Sequence, residues 1–474
     1  MKKICIVGGG TAGLVTALIL KTRFSSLQID IVKSDKIGII GVGEGSTEHW
    51  KEFADFVGIT IKQLITETDA TFKNGIMFED WTKQPYFHNI IGGISDIKFA
   101  QYQSGYAYTI VNNLKPKEYT NKDSWNNKVK YNDLPNQFHF NTFKLNNFLL
   151  KKCKEKNINI YEDEILKVNV KKGNIESIES KSKKYKHDFY IDSTGFKRLL
   201  ISKLGSKWKS YSKYLPMNEA IAFPTPDTDE YNTYTLAKAM SSGWLWRIPT
   251  QGRWGNGYVF NNKYINAEQA KKECEKYLGH KIEIGKNIKF EAGTLEKAWI
   301  GNCVATGLSS SFIEPLEASS IGTSIQQAFM LMHLIINYKE TDVELYNTRF
   351  KFIVENIRDF VLLHYLTNKK DSKFWKEFKA NLPLSLKENL EKWKYRLPLK
   401  EDFPGGYQLF NENNFAILLK ELNLVDKKSI KKEYDSLSKD FKDYTENKIR
   451  DYNEFYSDIN SLGHKQFLQS FYYK

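Results

Sequence analysis

Gly8-x-Gly10-x-x-Gly13 stands between an apolar run rich in β-branched residues, Lys3 to Val7, and a helical run without a breaker, Leu14 to Leu20. A second strand-like run follows from Gln28 to Val32. That order constrains the chain to open as a βαβ unit. Each glycine has a task in such a unit. One makes the tight turn, one lets backbone approach a pyrophosphate, and one lets helix and strand pack closely. The pyrophosphate would rest on the helix N-terminus, where free N–H groups and the helix dipole favour an anion. The same spacing also serves as a purely structural turn, but its place after a strand and before a helix favours a dinucleotide site.

The acidic residue usual at the end of the second strand is absent, since Val32 is followed by Lys33 and Ser34. The ribose hydroxyls therefore lack their customary acceptor, and a dinucleotide is expected to bind loosely. Further along, Ile165 to Val170, Ile175 to Ile178 and Phe189 to Ile191 alternate as short strands of a β-meander returning to the nucleotide sheet. The last of them runs into the turn Asp192-Ser193-Thr194-Gly195. Amphipathic helices are predicted over Ile325 to Tyr338 and Val343 to Leu366, with Phe350, Ile353, Ile357 and Val361 at helical spacing. Past them the sequence is charged, helical in pattern and poor in chemical signals.

At 474 residues the chain exceeds what one hydrophobic core usually supports, and two intimately packed lobes are expected. With 27 Tyr and 30 Phe it reads as globular, with room for large pockets. The net charge of +14 comes from lysines spread along the whole sequence, such as Lys181 to Lys186 and Lys369 to Lys379. A solvated surface explains that spread better than attraction of anions or nucleic acid, and no nucleic-acid partner is expected. Cys5, Cys153, Cys274 and Cys303 are far apart, which indicates neither a metal site nor a disulfide framework. The apolar N-terminal run is broken by glycines and is not read as a signal peptide. No run approaches the roughly 20 apolar residues that cross a bilayer, so a cytoplasmic protein without a membrane partner is expected.

Seven blocks, in order, resemble the flavin-dependent halogenases of the tryptophan-halogenase family: Gly8 to Gly13; Gly41-Val42-Gly43-Glu44; Phe72-Lys73 leading to Trp81; Trp244-Leu245-Trp246-Arg247-Ile248-Pro249; Gly301 to Ala305; Glu314-Pro315-Leu316-Glu317; and Arg358-Asp359-Phe360 through His364-Tyr365. The W-x-W-x-I-P block beside a glycine fingerprint is the specific part, since general flavin monooxygenases have the fingerprint without it. The resemblance implies an α/β fold, with a Rossmann-like FAD module of the flavin monooxygenase type, a β-meander and a mainly helical substrate lobe. Residues 1–340 would form the FAD module, with substrate-facing insertions at about 50–130 and 205–290. Residues 341–474 would form the helical lobe.

By the same resemblance, reduced FAD from a separate flavin reductase, with oxygen, oxidises chloride, bromide or iodide to hypohalous acid. The acid then travels to a small, electron-rich aromatic substrate of indole or phenol type. FAD would be held by Gly8, Gly10, Thr11, Ala12, Gly13, Ser34, Glu44, Leu308 and Ile321, although Glu44 also suits a plain structural turn. Lys73 matches the lysine that hydrogen-bonds hypohalous acid as an ammonium, or forms a haloamine with it as a free amine. Glu317 matches the carboxylate that stabilises the cationic ring intermediate and takes its proton. Ser319 and Ser320 fall where backbone N–H groups bind halide, in a loop expected to enter the helix at Ile325. The family's P-L-E-S-T-G-I reads here P-L-E-A-S-S-I, losing a hydroxyl at Ala318 and a glycine at Ser320.

Trp244, Trp246, Ile248 and Pro249 would wall the substrate from the flavin; the alternative is an edge strand whose two indoles are core. His88 falls near a position where the family presents aromatics to substrate, though a satisfied loop histidine explains it better. His139 reads as a packing residue. No match exists for the C-terminal residues by which tryptophan halogenases grip the amino acid's backbone, so free tryptophan is not the first expectation. A flavin-dependent aromatic hydroxylase and a flavin-binding module without catalysis are the competing readings. Self-association is left open.

Overall fold

The computed structural model describes residues 1–39, 44–89, 107–112, 128–129, 137–405, 408–457 and 462–473. Gly41, Val42 and Gly43, and much of the insertion expected at about 50–130, lie outside the described residues. Lys3–Val7 sits inside a six-stranded sheet. It pairs in parallel with Gln28–Lys33 on one side and Phe189–Asp192 on the other. Asn159–Glu162 extends the first flank in parallel, Cys303–Ala305 extends the second, and Trp299–Ile300 closes that edge antiparallel. Ile4, Cys5 and Ile6 are all fully buried, as a parallel strand covered on both faces requires. Helix Thr11–Arg23 packs against Thr142–Glu155 and Ser319–Leu334.

The meander is present as Lys167–Lys171, Asn174–Glu179 and Lys184–Tyr185, paired antiparallel. The run from Phe189 leaves it for the parallel sheet, because Phe189, Tyr190 and Ile191 are buried on both sides as that sheet demands. A second, seven-stranded sheet is ordered Lys286–Lys289, Glu219–Pro226, Arg253–Phe260, Gly243–Thr250, Tyr234–Met240, Gly75–Glu79, Tyr86–Asn89. The strand Gly243–Thr250, which carries the two tryptophans, is therefore an inner strand, paired on both sides, and not an edge. A further sheet of three short strands, Glu44–Gly45, Gln137–Phe140 and Thr71–Lys73, packs against Tyr234–Met240 and Gly243–Thr250 of the seven-stranded sheet.

The helix predicted from Ile325 begins six residues earlier, as Ser319–Leu334, followed by a 3-10 turn at Ile335–Asn337. Its first turns read Ser-Ser-Ile-Gly-Thr-Ser, weak helix formers that hide the start from a periodicity search. Glu340–His364 then runs for 25 residues with Phe350, Ile353, Ile357 and Val361 buried. Shorter helices follow, among them Glu412–Glu421 and His464–Gln469. Among the described residues no helix is long and apolar enough to cross a membrane.

Candidate active site

Three turns converge beyond the C-terminal ends of neighbouring parallel strands, where open α/β sheets place their ligands. The first follows Val7. Gly8 sits at φ +115°, and a Cβ there would fall 2.1 Å from the carbonyl oxygen of Ser193 in the second turn. A Cβ on Gly307, in the third turn Gly307–Ser309, would fall 2.6 Å from the Ala12 methyl. Asp192 ties the last two together. Its carboxylate accepts from the Thr194 backbone N–H and hydroxyl, from Leu200 N–H and Ile201 N–H, and from the Ser309 hydroxyl.

A dinucleotide fits this cradle. Gly10 faces open space, and the helix behind it has neither a side-chain cap nor an acidic residue in its first turn. Thr11, Ala12 and Gly13 therefore offer uncapped N–H groups to a phosphate. Leu308 lies half-buried in the third turn, and Ser34 half-buried just after the second strand. Lys33, where an acid was missed, is not a free cation: Asp35 and Glu162 both pair with it. Of Glu44 the backbone is placed, pairing with Phe140.

Lys73 ends the strand Thr71–Lys73 and is fully buried. Its ammonium donates to the Ser46 carbonyl at 2.8 Å. A Cβ on Gly45 would stand 3.5 Å from both Lys73 Nζ and the Ala318 methyl, so lysine and the turn that follows Glu317 face the same glycine. Burial pulls the lysine pKa down to about 8, against the opposing charges of Glu317 and Glu48. His139 does more than pack. Thr71 Oγ1 spends its proton on the Pro249 carbonyl at 2.7 Å, so it accepts from His139 Nδ1 at 3.1 Å, and His139 Nε2 accepts from Thr235 at 2.9 Å. These bonds join the lysine strand to the end of the W-x-W-x-I-P strand.

Glu317 closes the 3-10 turn Pro315–Glu317, and Ala318 turns out of it with φ +52° directly into the helix. Ser319 and Ser320 are thus the first two helical residues and not a loop; their N–H groups and that of Ile321 have no side-chain cap. The Glu317 carboxylate is fully buried, with His88 Nδ1 at 3.0 and 2.9 Å from its two oxygens and His364 Nε2 at 2.8 Å from Oε1. The His364 contact is close but poorly directed for a hydrogen bond. Burial alone would raise the carboxyl; the two histidines overcome it and hold the pKa at about 2. His88 belongs to the strand Tyr86–Asn89, not to a loop.

Trp244 and Trp246 point to one face, two residues apart, with ring centroids 6.1 Å apart. Their exposures are 1% and 6%. Trp246 lies over Gly257, where a Cβ would come within 2.0 Å of the ring. Ile248 and Pro249 are buried further along. Trp244 Nε1 donates to Glu314 Oε2 at 3.1 Å, and the Tyr365 hydroxyl donates to the same oxygen at 2.6 Å. Burial lifts the Glu314 carboxyl to about 7 despite those two donors.

A family model for tryptophan halogenases matches residues 3–435. The chain belongs to the tryptophan halogenase family. Tryptophan 6-halogenase SttH of Streptomyces toxytricini is 29% identical over 470 residues, with 88% of each protein covered. Tryptophan 7-halogenase RebH of Lentzea aerocolonigenes is 27% identical, with 89% of this chain and 90% of that one covered. A solved flavin-dependent halogenase from Xanthomonas campestris matches with a TM-score of 0.88 at 26% identity, covering 99% of this chain and 98% of that one. The tryptophan halogenase of Shewanella frigidimarina shares the fold at a TM-score of 0.89 and 24% identity, covering 99% and 97%.

This tryptophan halogenase family member is accordingly an enzyme that halogenates an aromatic substrate with FAD and halide. Its structure gathers Lys73, Glu317, Ser319, Ser320 and His88 around one turn, and ties Trp244 to that turn through Glu314. Four partners had no role in the sequence reading. Glu314 and His364 stand inside quoted blocks, where a charged or polar residue in an apolar context was the available signal. Asn414, whose amide nitrogen lies 3.0 Å from His88 Nε2, and His464, whose Nε2 accepts the Phe72 N–H, lie in the charged C-terminal stretch, and nothing local marks them.

Proposed function

We propose that the enzyme places halogen on an electron-rich indole- or phenol-type ring, with Lys73 presenting hypohalous acid and Glu317 supporting the ring cation. The observation that carries this reading is the complete burial of both side chains, with Lys73 and the Ala318 turn that directly follows Glu317 facing one glycine, Gly45. Neither has the solvated setting of a surface charge. Bound FAD, supplied reduced, provides with oxygen the two-electron oxidation of halide to hypohalous acid. Uncapped N–H groups at Ser319, Ser320 and Ile321 suit the halide. Trp244 and Trp246 keep the aromatic substrate away from the flavin.

At a pKa of about 8 Lys73 is mainly an ammonium at neutral pH, able to donate to the oxygen of hypohalous acid. The ring attacks the halogen, the oxygen–halogen bond breaks, and the oxygen leaves as water with the lysine's proton. Glu317, held ionised by its histidines, stabilises the cation electrostatically and then takes the ring proton, restoring aromaticity. A carboxylate held at about 2 is a weak base, but a ring cation is a far stronger acid than any carboxylic acid. Transfer of the proton from Glu317 back to the lysine amine resets the pair.

The test is turnover with a flavin reductase, FAD, NADH and oxygen on a panel of indoles and phenols, with chloride, bromide and iodide supplied in turn. Halide-dependent product is expected. Oxygenated product formed without regard to halide would instead identify a hydroxylase.

A further inference from the structure

The seven-stranded sheet and the C-terminal helices meet at His88, and their hydrogen bonds leave only one arrangement of protons. Asn411 caps the helix Glu412–Glu421 in a reciprocal box: its side chain accepts from the N–H groups of Asn413 and Asn414, and its own N–H donates to Asn414 Oδ1 at 2.8 Å. A backbone N–H can only donate, so the oxygen of the Asn414 amide faces Asn411 and its nitrogen faces the other way. That nitrogen lies 3.0 Å from His88 Nε2. An amide NH2 can likewise only donate, so Nε2 accepts and Nδ1 carries the proton. Nδ1 is the atom set between the two oxygens of Glu317. The chain of donors therefore runs in one direction, from Asn411 through Asn414 and His88 to Glu317, with His88 and Glu317 fully buried and Asn414 9% exposed.

The box itself is pinned. Asn356, on the helix Glu340–His364, donates to the Phe410 carbonyl at 2.9 Å and accepts from the Phe410 N–H at 3.0 Å. The Phe410 ring stacks on Phe360 with centroids 4.1 Å apart, and Phe360 in turn packs against His88 at 5.2 Å.

We infer that Asn414 is a positioning residue for Glu317, acting through His88: it selects the tautomer that presents a donor to the carboxylate and so holds Glu317 ionised and correctly turned. This rests on Glu317 having the role proposed above. With the opposite tautomer a lone pair of Nδ1 would face the carboxylate and turn it away. Replacing the Asn414 amide by a carboxylate should force such a change, because the introduced group could only accept, and Nε2 would have to become the donor. The imidazole would then either move its proton to Nε2 or take a second one, neutralising Glu317.

The experiment compares wild type with Asn414→Asp and Asn414→Ser; a serine hydroxyl can still donate, directly or through water. Two quantities are read: the 15N shifts of labelled histidine, which distinguish tautomers, and halogenated product formed per reduced flavin consumed. Expected are an Nδ1–H tautomer for His88 in wild type, a changed His88 state with at least tenfold less product per flavin in Asn414→Asp, and substantial recovery in Asn414→Ser, all at unchanged FAD affinity. An Nε2–H tautomer in wild type, or an Asn414→Asp enzyme that couples like wild type, would overturn the inference. A Glu317→Gln enzyme that halogenates as well as wild type would instead refute the role given to Glu317 itself, which separates the two failures.

Discussion

The indole N–H of Trp244 donates to Glu314 Oε2, three residues before Glu317, so the W-x-W-x-I-P strand is fastened to the turn that carries the ring-cation carboxylate. Tyr365, next to His364, donates to the same oxygen. The far end is fastened by the Thr71 hydroxyl donating to the Pro249 carbonyl, and a wall held at both ends should fail by leaking and not by unfolding. Replacing Trp244 or Trp246 with alanine is expected to leave FAD binding and reduced-flavin oxidation within about twofold of wild type while product per flavin falls severalfold. The missing oxidant should appear as hypohalous acid trapped by an external scavenger. Loss of FAD binding, or of folding by circular dichroism, would assign both rings to the core alone.

His464 Nε2 accepts the backbone N–H of Phe72 at 3.0 Å, one residue before the lysine. Thr71 and Lys73 pair with Gln137–Phe140, leaving the intervening N–H to the other side of the strand. Burial holds the imidazole pKa at about 4, and its Nδ1 proton goes to the Asn232 carbonyl at 3.2 Å. His464→Ala should cost about 1–3 kcal/mol, the usual penalty for stranding a buried donor, and lower product per flavin by displacing Lys73. His464→Gln, whose amide oxygen can accept, should recover much of both. Thermal melts and coupling ratios check the pair, and an alanine variant equal to wild type in both would show that the contact positions nothing.

Lys73 provides a pH test. Its folded pKa, lowered to about 8, lies below the ordinary lysine value, so burial destabilises the ammonium form and the amine appears as pH rises through about 8. If the ammonium is the working form, halogenation should decline above that pH while reduced-flavin oxidation does not follow it. A rate that climbs through pH 8 would identify the free amine, and hence a haloamine route, in its place.

The βαβ opening was legible because it rests on local glycine spacing between a strand and a helix, whereas Lys73 and Glu317 stood out only by resemblance to family blocks, and the strand and 3-10 turn that carry them were not read from local pattern. Register between strands was not legible. Gly243–Thr250 became an inner strand through pairing with Tyr234–Met240 and Arg253–Phe260, which no window of its own sequence contains. The helix start at Ser319 was hidden by weak helix formers and by Ala318 in the left-handed region. His88 looked like a loop residue because its partners, Glu317 and Asn414, lie 229 and 326 positions away. Long-range hydrogen bonding decides its role, and composition near residue 88 carries no trace of it.

The strongest test falls on the lysine. Lys73→Ala should abolish halogenation, with product below about 1% of wild type, while FAD affinity, flavin reduction by the partner reductase and oxygen consumption stay near wild type. The nucleotide cradle is built from the turns after Val7, Asp192 and Ala305, whereas the Lys73 ammonium, among the described residues, bonds the Ser46 carbonyl and faces Gly45 beside the Ala318 turn. Removing it therefore spares the half-reaction at the flavin and stops transfer to the ring. Glu317→Gln should be milder. The amide keeps the shape but cannot take a proton, and losing one general base typically costs on the order of a hundredfold. The two neighbouring histidines are themselves left without a charge to hold, so the loss should also be largest for the least activated rings, which depend most on stabilisation of the cation. A Lys73→Ala enzyme that still halogenated at an appreciable fraction of the native rate would overturn the mechanism, since hypohalous acid diffusing freely to the ring would then suffice.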